Sequence, residues 1–386
     1  MKILYLIDPC SNEVDNSYQR EIITRLALAS VTENDIQVID RGQLGDSDTV
    51  EVMLAQNYDV YFTYNRSGTD INYQSNGVSK NLLSMLTKPH VCWLTEHPLC
   101  WYTQYFQSQN NRHYILPRLS HATFLTGMNL AGTYSSQLFA ADPQLNYKKH
   151  VDRKYDLCIA AQWRGSEKAN EFWIGRGNTA ESFFSTVALA QTSDTAKDTY
   201  VAYTATAKSM NIDVSDKLKH SQYMKGLYWH ARKKERIELV QTFVNSGLKI
   251  ALIGSEEWRS VLGDVSNIEF YDNCDHANLL SIYSDSRAVL NINAANGVCE
   301  RAFDAASVGA MIVSEYSPEI ERIFGSADSV VMYNPGLAKA SIDLIYELVQ
   351  SNVSEILGNN AHNCLVNGHT WDHRAKWLNT IFRSLS

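Results

Sequence analysis

Hydrophobic residues along the first 130 positions occur in short runs, and amphipathic or polar stretches separate these runs. Short runs rich in β-branched and aromatic residues are typical of strands, whereas apolar residues spaced three or four apart indicate helices. The pattern predicts strands at 2–8, 35–40, 59–65, 90–96 and 122–128. It predicts helices near 14–30, 48–56, 78–87 and 129–138. Strands that alternate with helices indicate a parallel sheet covered on both faces.

A second series of the same kind begins at position 155. Its apolar runs predict strands within 155–161, 248–258, 267–273, 288–295, 310–315 and 329–334. Helices fit between them at 232–246, 276–286, 299–308, 316–324 and 337–350. Residues 164–230 are expected to form a polar, mostly helical insertion. The whole pattern predicts an α/β fold with two doubly wound, Rossmann-like parallel-sheet domains that face each other across a cleft, residues 1–145 and 151–369.

Composition and charge narrow the classes of partner. The 386 residues suffice for two domains with separate cores, and 45% hydrophobic with 20% charged residues is typical of a globular chain. A net charge of −8, with no basic tail, argues against nucleic acid as a partner. The seven cysteines are scattered singly, which indicates reduced thiols and no zinc. With no signal-peptide core and no apolar run of membrane length, we expect a cytoplasmic protein that could contact the inner membrane surface only peripherally.

Polar residues that follow the predicted strands are the candidates for chemistry, because ligands of doubly wound sheets bind at the carboxyl ends of strands. The stretch NGVCERAFDAA places Asn296 and Gly297 in a tight loop before a predicted helix. The exposed N–H groups at a helix start attract phosphate, and Arg301 could add a guanidinium there. Glu300 and Asp304 share a face with this arginine, where a carboxylate could bind two sugar hydroxyls. The alternative is that these charged residues merely pair at the surface.

Other predicted strand ends repeat this theme. Gly254 ends one strand with Trp258 close by, and Tyr271 and Asn273 end the next. A nucleobase could meet an aromatic ring or an amide at these positions.

Three cations, Arg232, Lys233 and Arg236, stand where the pattern predicts a helix start. Cations at that end oppose the helix dipole, so a bound anion would relieve the conflict. The alternative is a solvated basic face.

Three motifs, IGSEEW, AVLNINAANGVCERAFDAASVGA and GHTWDHRAKWL, occur in this order over residues 232 to about 376. In order and spacing they resemble the carboxyl-terminal domain of GT-B glycosyltransferases, in the "glycosyl transferases group 1" branch that includes spore-maturation-type proteins. The resemblance over the first 150 residues is looser. The resemblance as a whole implies an enzyme that moves a sugar from a nucleotide-sugar donor to a glycan, lipid-linked or protein acceptor. The nucleotide sugar is a substrate, so no cofactor is expected, and no DxD-type metal site is evident.

The resemblance also assigns roles to the residues that match its central motif. Asp304 corresponds to the acid that binds ribose, Gly297 and Asn296 to the diphosphate loop, and Arg301 to a phosphate or sugar contact. Many retaining relatives carry two glutamates separated by seven residues around this loop. Because Asn296 stands where the first would be, the stereochemical outcome stays open.

The resemblance leaves the acceptor to the amino-terminal domain, to which the final helix, about 370–386, would cross back. Glu96 and His97 end a predicted strand, and either could take a proton from an acceptor hydroxyl. Asp8 is a third candidate for this base. Candidate acceptor or phosphate contacts at another strand end are Asn65, Arg66 and Ser67.

Two other functions remain open from the sequence. A nucleotide-sugar epimerase or hydrolase would share the architecture but consume the donor without a saccharide acceptor. A two-lobed binding protein would hold a nucleotide or a sugar without turnover. His369 is expected to help clamp the final helix rather than to react.

Overall fold

The computed structural model describes most of the chain. The described residues are 1–7, 22–27, 34–40, 56–65, 72–75, 78–81, 85–102, 111–130, 132–136, 139–144, 148–161, 172–193, 197–254, 256–292, 297–325, 328–334 and 338–386. They fall into two compact units, Met1–Leu138 with Trp371–Ser386, and Phe139–Thr370. The last segment of the chain therefore belongs to the first unit, although the whole second unit separates the two in sequence.

The first unit contains a six-stranded parallel sheet and a two-stranded antiparallel hairpin. The strands in chain order are β1 (Lys2–Ile7), β2 (Asp35–Asp40), β3 (Val60–Tyr64), the hairpin strands β4 (Asn72–Ser75) and β5 (Val78–Asn81), β6 (His90–Trp93), β7 (Arg112–Leu116) and β8 (Thr133–Ser136). The order across the sheet is β2-β1-β3-β6-β7-β8. Helical segments of the described part include 22–27, Ala122–Gly127 (α1) and the short 3₁₀ turns Pro98–Trp101 and Leu119–His121.

Aromatic side chains form the centre of the first unit. The rings of Tyr5 and Phe62 lie with centroids 4.6 Å apart on adjacent strands. Phe382, from the carboxyl-terminal helix Trp371–Leu385, meets both rings edge-on, at 6.4 and 6.1 Å. Such edge-to-face pairs add to the stabilisation from apolar burial. They attach the last helix of the chain to the first sheet.

Three predicted elements of the first unit are wrong. The predicted strand at 122–128 is helix α1, and the place beside β6 belongs to Arg112–Leu116. A hydrophobicity pattern does not predict that strand, because it begins with the charged residue Arg112. Inside the unit, Nε of Arg112 donates to His90 Nδ1 (3.3 Å), and its Nη1 donates to the Tyr114 hydroxyl (3.1 Å). The predicted helix near 129–138 contains strand β8 instead. The predicted helix near 78–87 is wrong over its first four residues, which form β5, whereas Met85 within it is helical. Most of the predicted helix 48–56 lies outside the described residues.

The second unit contains another six-stranded sheet, in which every pairing is parallel. Its strands are β9 (Tyr155–Ala160), β10 (Ile250–Ile253), β11 (Ile268–Tyr271), β12 (Ser286–Asn291), β13 (Met311–Glu315) and β14 (Val330–Tyr333). The order is β11-β10-β9-β12-β13-β14, so the direction of winding reverses between β9 and β12. In this arrangement ligands are expected beyond the carboxyl ends of those two strands.

Helices account for most of the rest of the described chain. They are α2 (Asn178–Ser193), α3 (Thr199–Ser209), α4 (Lys217–Val244), α5 (Glu257–Leu262), α6 (His276–Ser284), α7 (Glu300–Ser307), α8 (Pro318–Phe324), α9 (Ala338–Gln350), α10 (Val353–Gly368) and α11 (Trp371–Leu385). The main core of the second unit lies between one face of the sheet and helices α4 and α9, with Leu290, Val313, Val240 and Ile345 among its members. No helix among the described residues has both the length and the apolar character needed to cross a membrane.

The predicted start of the helix at 232 is wrong. Helix α4 begins at Lys217, where the Asp216 carboxylate caps the Lys219 N–H (3.1 Å), and it runs without a break to Val244. The polar sequence WHARKKE in its middle hides this continuity, because only the last two turns carry a strong apolar pattern. Together α2, α3 and the first half of α4 make the predicted insertion helical over its described part.

Candidate functional site

The turn before α7 requires a glycine. Gly297 has φ +79°, in the left-handed region, and a Cβ atom there would lie 2.7 Å from Oε2 of Glu319. Its carbonyl accepts a hydrogen bond from the Ser317 hydroxyl (3.0 Å), and this hydroxyl also caps α8 by accepting from the Ile320 N–H (3.1 Å). The turn is therefore fastened to the start of the next helix. The neighbouring Asn296 lies outside the described residues.

Helix α7 is also fixed at its carboxyl end. The buried guanidinium of Arg153 donates to the carbonyls of Val308 (2.8 Å) and Gly309 (3.2 Å), which directly follow the helix. A cation at this end of a helix is favoured by the dipole. On another side α10 approaches so closely that a Cβ on Gly358 would lie 2.2 Å from the Gly309 carbonyl oxygen. Held at both ends, α7 presents its first turn in one orientation.

The first turn of α7 carries the predicted cation. Nη1 of Arg301 donates to Sγ of Cys299 at 3.2 Å, and Glu300 is half-buried beside it. Burial opposes the charge of Arg301, but the nearby Cys299, Tyr283 and Glu300 outweigh burial and raise the pKa of this guanidinium. Arg301 is itself half-buried, and partial desolvation strengthens the attraction of a cation for an anion.

One turn later, Asp304 is buried, with 2% of its surface exposed. Its Oδ1 lies 3.1 Å from Nε2 of His276, the first residue of α6. The pair is an ion pair when the imidazole is protonated. A buried carboxylate with one imidazole partner is suited to accept further hydrogen bonds from hydroxyl groups. The sequence reasoning missed His276, because 28 residues separate it from the aspartate.

The cations of α4 lie in the middle of that helix and not at its start, so the dipole argument for an anion there is wrong. Arg232 and Arg236 are nonetheless buried, with 6% and 7% exposure, while Lys233 is half-buried. Arg232 donates to the Tyr228 hydroxyl (2.8 Å), and its guanidinium lies 5.3 Å from the centre of that ring. The charge of Arg232 partly opposes the rise in the pKa of Arg301. The structure therefore brings these two cations into electrostatic range of each other.

Two carboxyl groups that the sequence reasoning did not select accompany these cations. Glu235 of α4 lies close to Glu315, the last residue of β13, and both are buried. Burial raises the pKa of Glu235, against the opposing effects of Glu315, Arg232 and Arg236. The end of β13 thus holds a buried cluster of both signs.

The remaining candidates of the second unit are placed differently. Gly254 directly follows β10, and a Cβ there would lie 2.4 Å from the Ala161 carbonyl oxygen. Trp258 donates from Nε1 to that same oxygen (2.6 Å) and is 1% exposed, so its ring packs in the core and offers no surface to a ligand. The Tyr271 hydroxyl donates to Oε1 of Glu269 (2.7 Å), whose pKa is held at about 2, chiefly by a hydrogen bond from Lys154. Asn273 is exposed.

At the strand ends of the first unit, Asn65 has φ +51° and directs its side chain back to the protein. Its Oδ1 accepts from the N–H (2.9 Å) and the hydroxyl (3.0 Å) of Thr95, which joins the segments that follow β3 and β6. These contacts explain the residue without a ligand. The predicted site residues Asp8, Arg66 and Ser67 lie outside the described residues.

The two base candidates after β6 differ in exposure. His97 is 1% exposed, its Nδ1 accepts from the Leu99 N–H (3.0 Å), and it begins the 3₁₀ turn. Its ring packs against that of His121, with centroids 4.3 Å apart, a pairing of two imidazoles that sequence spacing does not reveal. Glu96 is half-buried. Of the two, Glu96 has the more exposed side chain.

The carboxyl-terminal part of the chain matches a known family model. Residues 232–380 match the family model described as "Glycosyl transferase-like", and this segment includes Arg232, Arg301 and Asp304. This segment of the chain is a glycosyl transferase-like domain. The matched segment is less than half of the chain, and no curated protein sequence matches it significantly. Assignment to the spore-maturation-type branch stays a prediction.

Solved structures share the fold of this chain over its whole length. Sucrose-phosphate synthase of Thermosynechococcus elongatus aligns with a TM-score of 0.55 at 12% identity, covering 100% of this chain and 98% of that one. HepE of Anabaena, in complex with UDP and glucose, gives 0.56 at 10% identity and covers 100% of both chains. AviGT4, a glycosyltransferase involved in avilamycin A biosynthesis, gives 0.53 at 12% identity, with 100% and 98% covered. Two parallel sheets with flanking helices and these neighbours establish the predicted α/β, GT-B fold.

The structure brings some of the predicted site residues together and engages others in packing. Arg301, Asp304, Glu300 and Arg232 lie near one another at the start of α7 and in α4. Trp258 and Asn65 are engaged in packing and in backbone contacts.

Proposed function

We propose that the enzyme transfers a glycosyl group from a nucleoside-diphosphate sugar to an acceptor hydroxyl, with the donor held by the second unit. The observation that carries this proposal is the buried Asp304, paired with His276, one turn beyond the Arg301 guanidinium at the start of α7. A buried carboxylate can bind the two ribose hydroxyls, while a cation and free helix N–H groups bind the diphosphate. HepE, of the same fold, is known in complex with UDP and glucose, which supports a donor of this class.

The proposed transfer needs a group that stabilises the leaving diphosphate. The bond between the anomeric carbon and the diphosphate oxygen breaks, and its electron pair leaves with the diphosphate. Arg301, supported by Arg232 and the amide groups at the start of α7, would neutralise this charge without a metal ion or a cofactor. The acceptor oxygen bonds to the anomeric carbon and loses its proton to a base. We assign the base to Glu96 of the first unit, which would supply the acceptor side.

Several other residues are secondary candidates for contacts with the donor or the acceptor in this proposal. Gly297, with Asn296, would form the diphosphate loop, and Gly254 and Asn273 are candidates near the nucleotide base. Asp8, Asn65, Arg66 and Ser67 remain candidates on the acceptor side, and Arg236 and Lys233 on the donor side.

A panel assay tests the function. The full chain is incubated with UDP-, GDP-, ADP- and dTDP-sugars, with and without glycan, lipid-linked and protein acceptors, and free nucleotide is measured. We expect nucleotide release that depends on an acceptor and persists in EDTA. Release without any acceptor would support the hydrolase or epimerase function instead. Tight binding without release would support a non-catalytic protein, and loss of release in EDTA would refute metal independence.

A further inference from the structure

A chain of four hydrogen bonds leads from the Arg301 guanidinium into the second sheet. Nη1 of Arg301 donates to Sγ of Cys299 (3.2 Å), and the thiol donates to Oδ1 of Asn291 (2.7 Å). Nδ2 of Asn291 donates to the Ser314 hydroxyl (2.9 Å), and this hydroxyl donates to the Glu315 carbonyl (2.9 Å). All four hydrogen bonds are donated in the direction from Arg301 toward Glu315, so no two donors or two acceptors face each other.

The intermediate groups of this chain are buried and lie on rigid elements. Cys299, Asn291 and Ser314 are 3%, 1% and 0% exposed. Asn291 and Ser314 are register partners at the ends of β12 and β13. Burial raises the pKa of the Cys299 thiol, so it stays protonated near neutral pH and keeps the hydrogen that it donates. A buried hydrogen-bonded series of this kind has little freedom to rearrange.

The position of Cys299 gives this series of hydrogen bonds a second effect, on the loop before α7. Cys299 is the residue that precedes α7, and its side chain makes no capping hydrogen bond to that helix. Its thiol instead reaches Asn291, so this bond joins the residues on either side of the predicted diphosphate loop. Arg301 would otherwise have to order a long, flexible side chain when the donor binds, at a cost in entropy.

We propose that Cys299, acting through Asn291 and Ser314, is a positioning residue that preorganises the Arg301 guanidinium for the donor diphosphate. This inference rests on the proposed role of Arg301 in donor binding. Cys299 touches no substrate in this scheme, and its thiol is not consumed. Its contribution is to hold the guanidinium in place before the donor arrives, which favours binding.

The test is a double-mutant cycle read by nucleotide affinity. UDP, GDP, ADP and dTDP are titrated into the full chain by calorimetry, and the tightest ligand is used for Cys299→Ala, Arg301→Ala and the double variant. We expect Cys299→Ala to weaken binding about 3- to 10-fold in the wild-type background, the size of effect expected for loss of one ordinary hydrogen bond. In the Arg301→Ala background the same substitution should have almost no effect, because the group that it positions is gone.

Conservative and control variants separate positioning from packing. Cys299→Ser retains a donor and an acceptor, so it should restore affinity to within about 2-fold of wild type. Ser314→Ala removes only the last hydroxyl and provides a milder variant if Cys299→Ala fails to fold. Cys364→Ala removes another thiol of the same unit, one that contacts Ser329 and the Phe324 carbonyl, and should leave affinity unchanged.

Three results would overturn the inference. Unchanged affinity in both Cys299→Ala and Ser314→Ala would do so, and so would a loss that is equal in the two backgrounds, since both indicate that the thiol does not act through Arg301. In these cases the proposed function would stand if Arg301→Ala still weakens binding. If Arg301→Ala leaves the affinity for every nucleotide unchanged, the donor role of Arg301 and its positioning by Cys299 fail together.

Discussion

The two parallel sheets of this chain have similar buried strands but different chemistry at the strand ends. After β3 and β6, the polar side chains of Asn65 and His97 bind backbone groups of their own loops. After β12 and at the end of β13, buried polar side chains bind one another, as Cys299 binds Asn291 and Asn291 binds Ser314. Buried polar groups that satisfy one another hold a fixed arrangement. The strand ends of the second unit are therefore where we propose the donor site.

The largest expected effect tests what the first unit contributes. Glu96→Gln should lower kcat about 10²- to 10⁴-fold with little change in donor affinity, as for loss of a general base. His97→Gln should instead destabilise the fold by about 1 kcal/mol, because its Nδ1 caps a turn. Steady-state kinetics and chemical denaturation of both variants provide the measurement. If Glu96→Gln keeps the wild-type kcat, Glu96 is not the base, and Asp8 is the next candidate to test.

The next prediction concerns the charged site of the second unit. Asp304→Asn should weaken nucleotide affinity about 10- to 100-fold, because a neutral amide accepts ribose hydroxyls less strongly than a carboxylate. Its fold should survive, since an amide can still bind His276. Arg259→Ala, which removes an exposed arginine of the same unit, is the control and should not change affinity. Calorimetric titration measures both, and equal affinities would refute the ribose role.

A smaller effect is expected from the turn that precedes α7. Gly297→Ala forces a side chain into the left-handed region and toward the Glu319 carboxylate, and should cost more than about 1–2 kcal/mol of unfolding free energy. Gly325→Ala is a matched control, because Gly325 has φ +77° but open space around it. The difference between the two, measured by urea denaturation, isolates the clash. If both variants lose equal stability, the close approach of Glu319 is not a constraint.

The smallest effect is a dependence of stability on pH within the first unit. Burial, and then the charge of Arg112, lower the pKa of His90 well below its usual value. The fold thus favours the neutral imidazole, so this stabilisation is complete above about pH 6.5 and is lost as the pH falls toward the lowered pKa. Below pH 6.5, this group should make the unfolding free energy fall by at most about 1.4 kcal/mol for each pH unit. His90→Gln should flatten it in denaturation curves from pH 7.5 to 5, and an unchanged slope would contradict the assignment.

Much of the second unit could be predicted from the sequence, and less of the first. The apolar runs that become β10, β12 and β13 are bounded by turn residues, and the structure has strands in all three. In the first unit, β7 begins with Arg112 and β8 is the polar segment Thr133–Ser136, so both resemble loops by pattern. Their polar side chains are paired across the sheet, as His113 is with Thr133 (2.7 Å) and Ser135 (2.8 Å). Such pairing depends on which strands become neighbours, and a local pattern does not contain that information.

By itself the sequence determined the fold class, the order of most elements in the second unit, and the motif around Arg301 and Asp304, because hydrophobic periodicity and turn residues act locally. Only the tertiary structure decided that His276 meets Asp304, that Glu235 meets Glu315, and that Cys299 connects Arg301 to Asn291. These pairs bring together residues of different elements at the carboxyl ends of parallel strands. Their contact follows from the order in which strands pair, which is set by long-range packing and not by the spacing of residues along the chain.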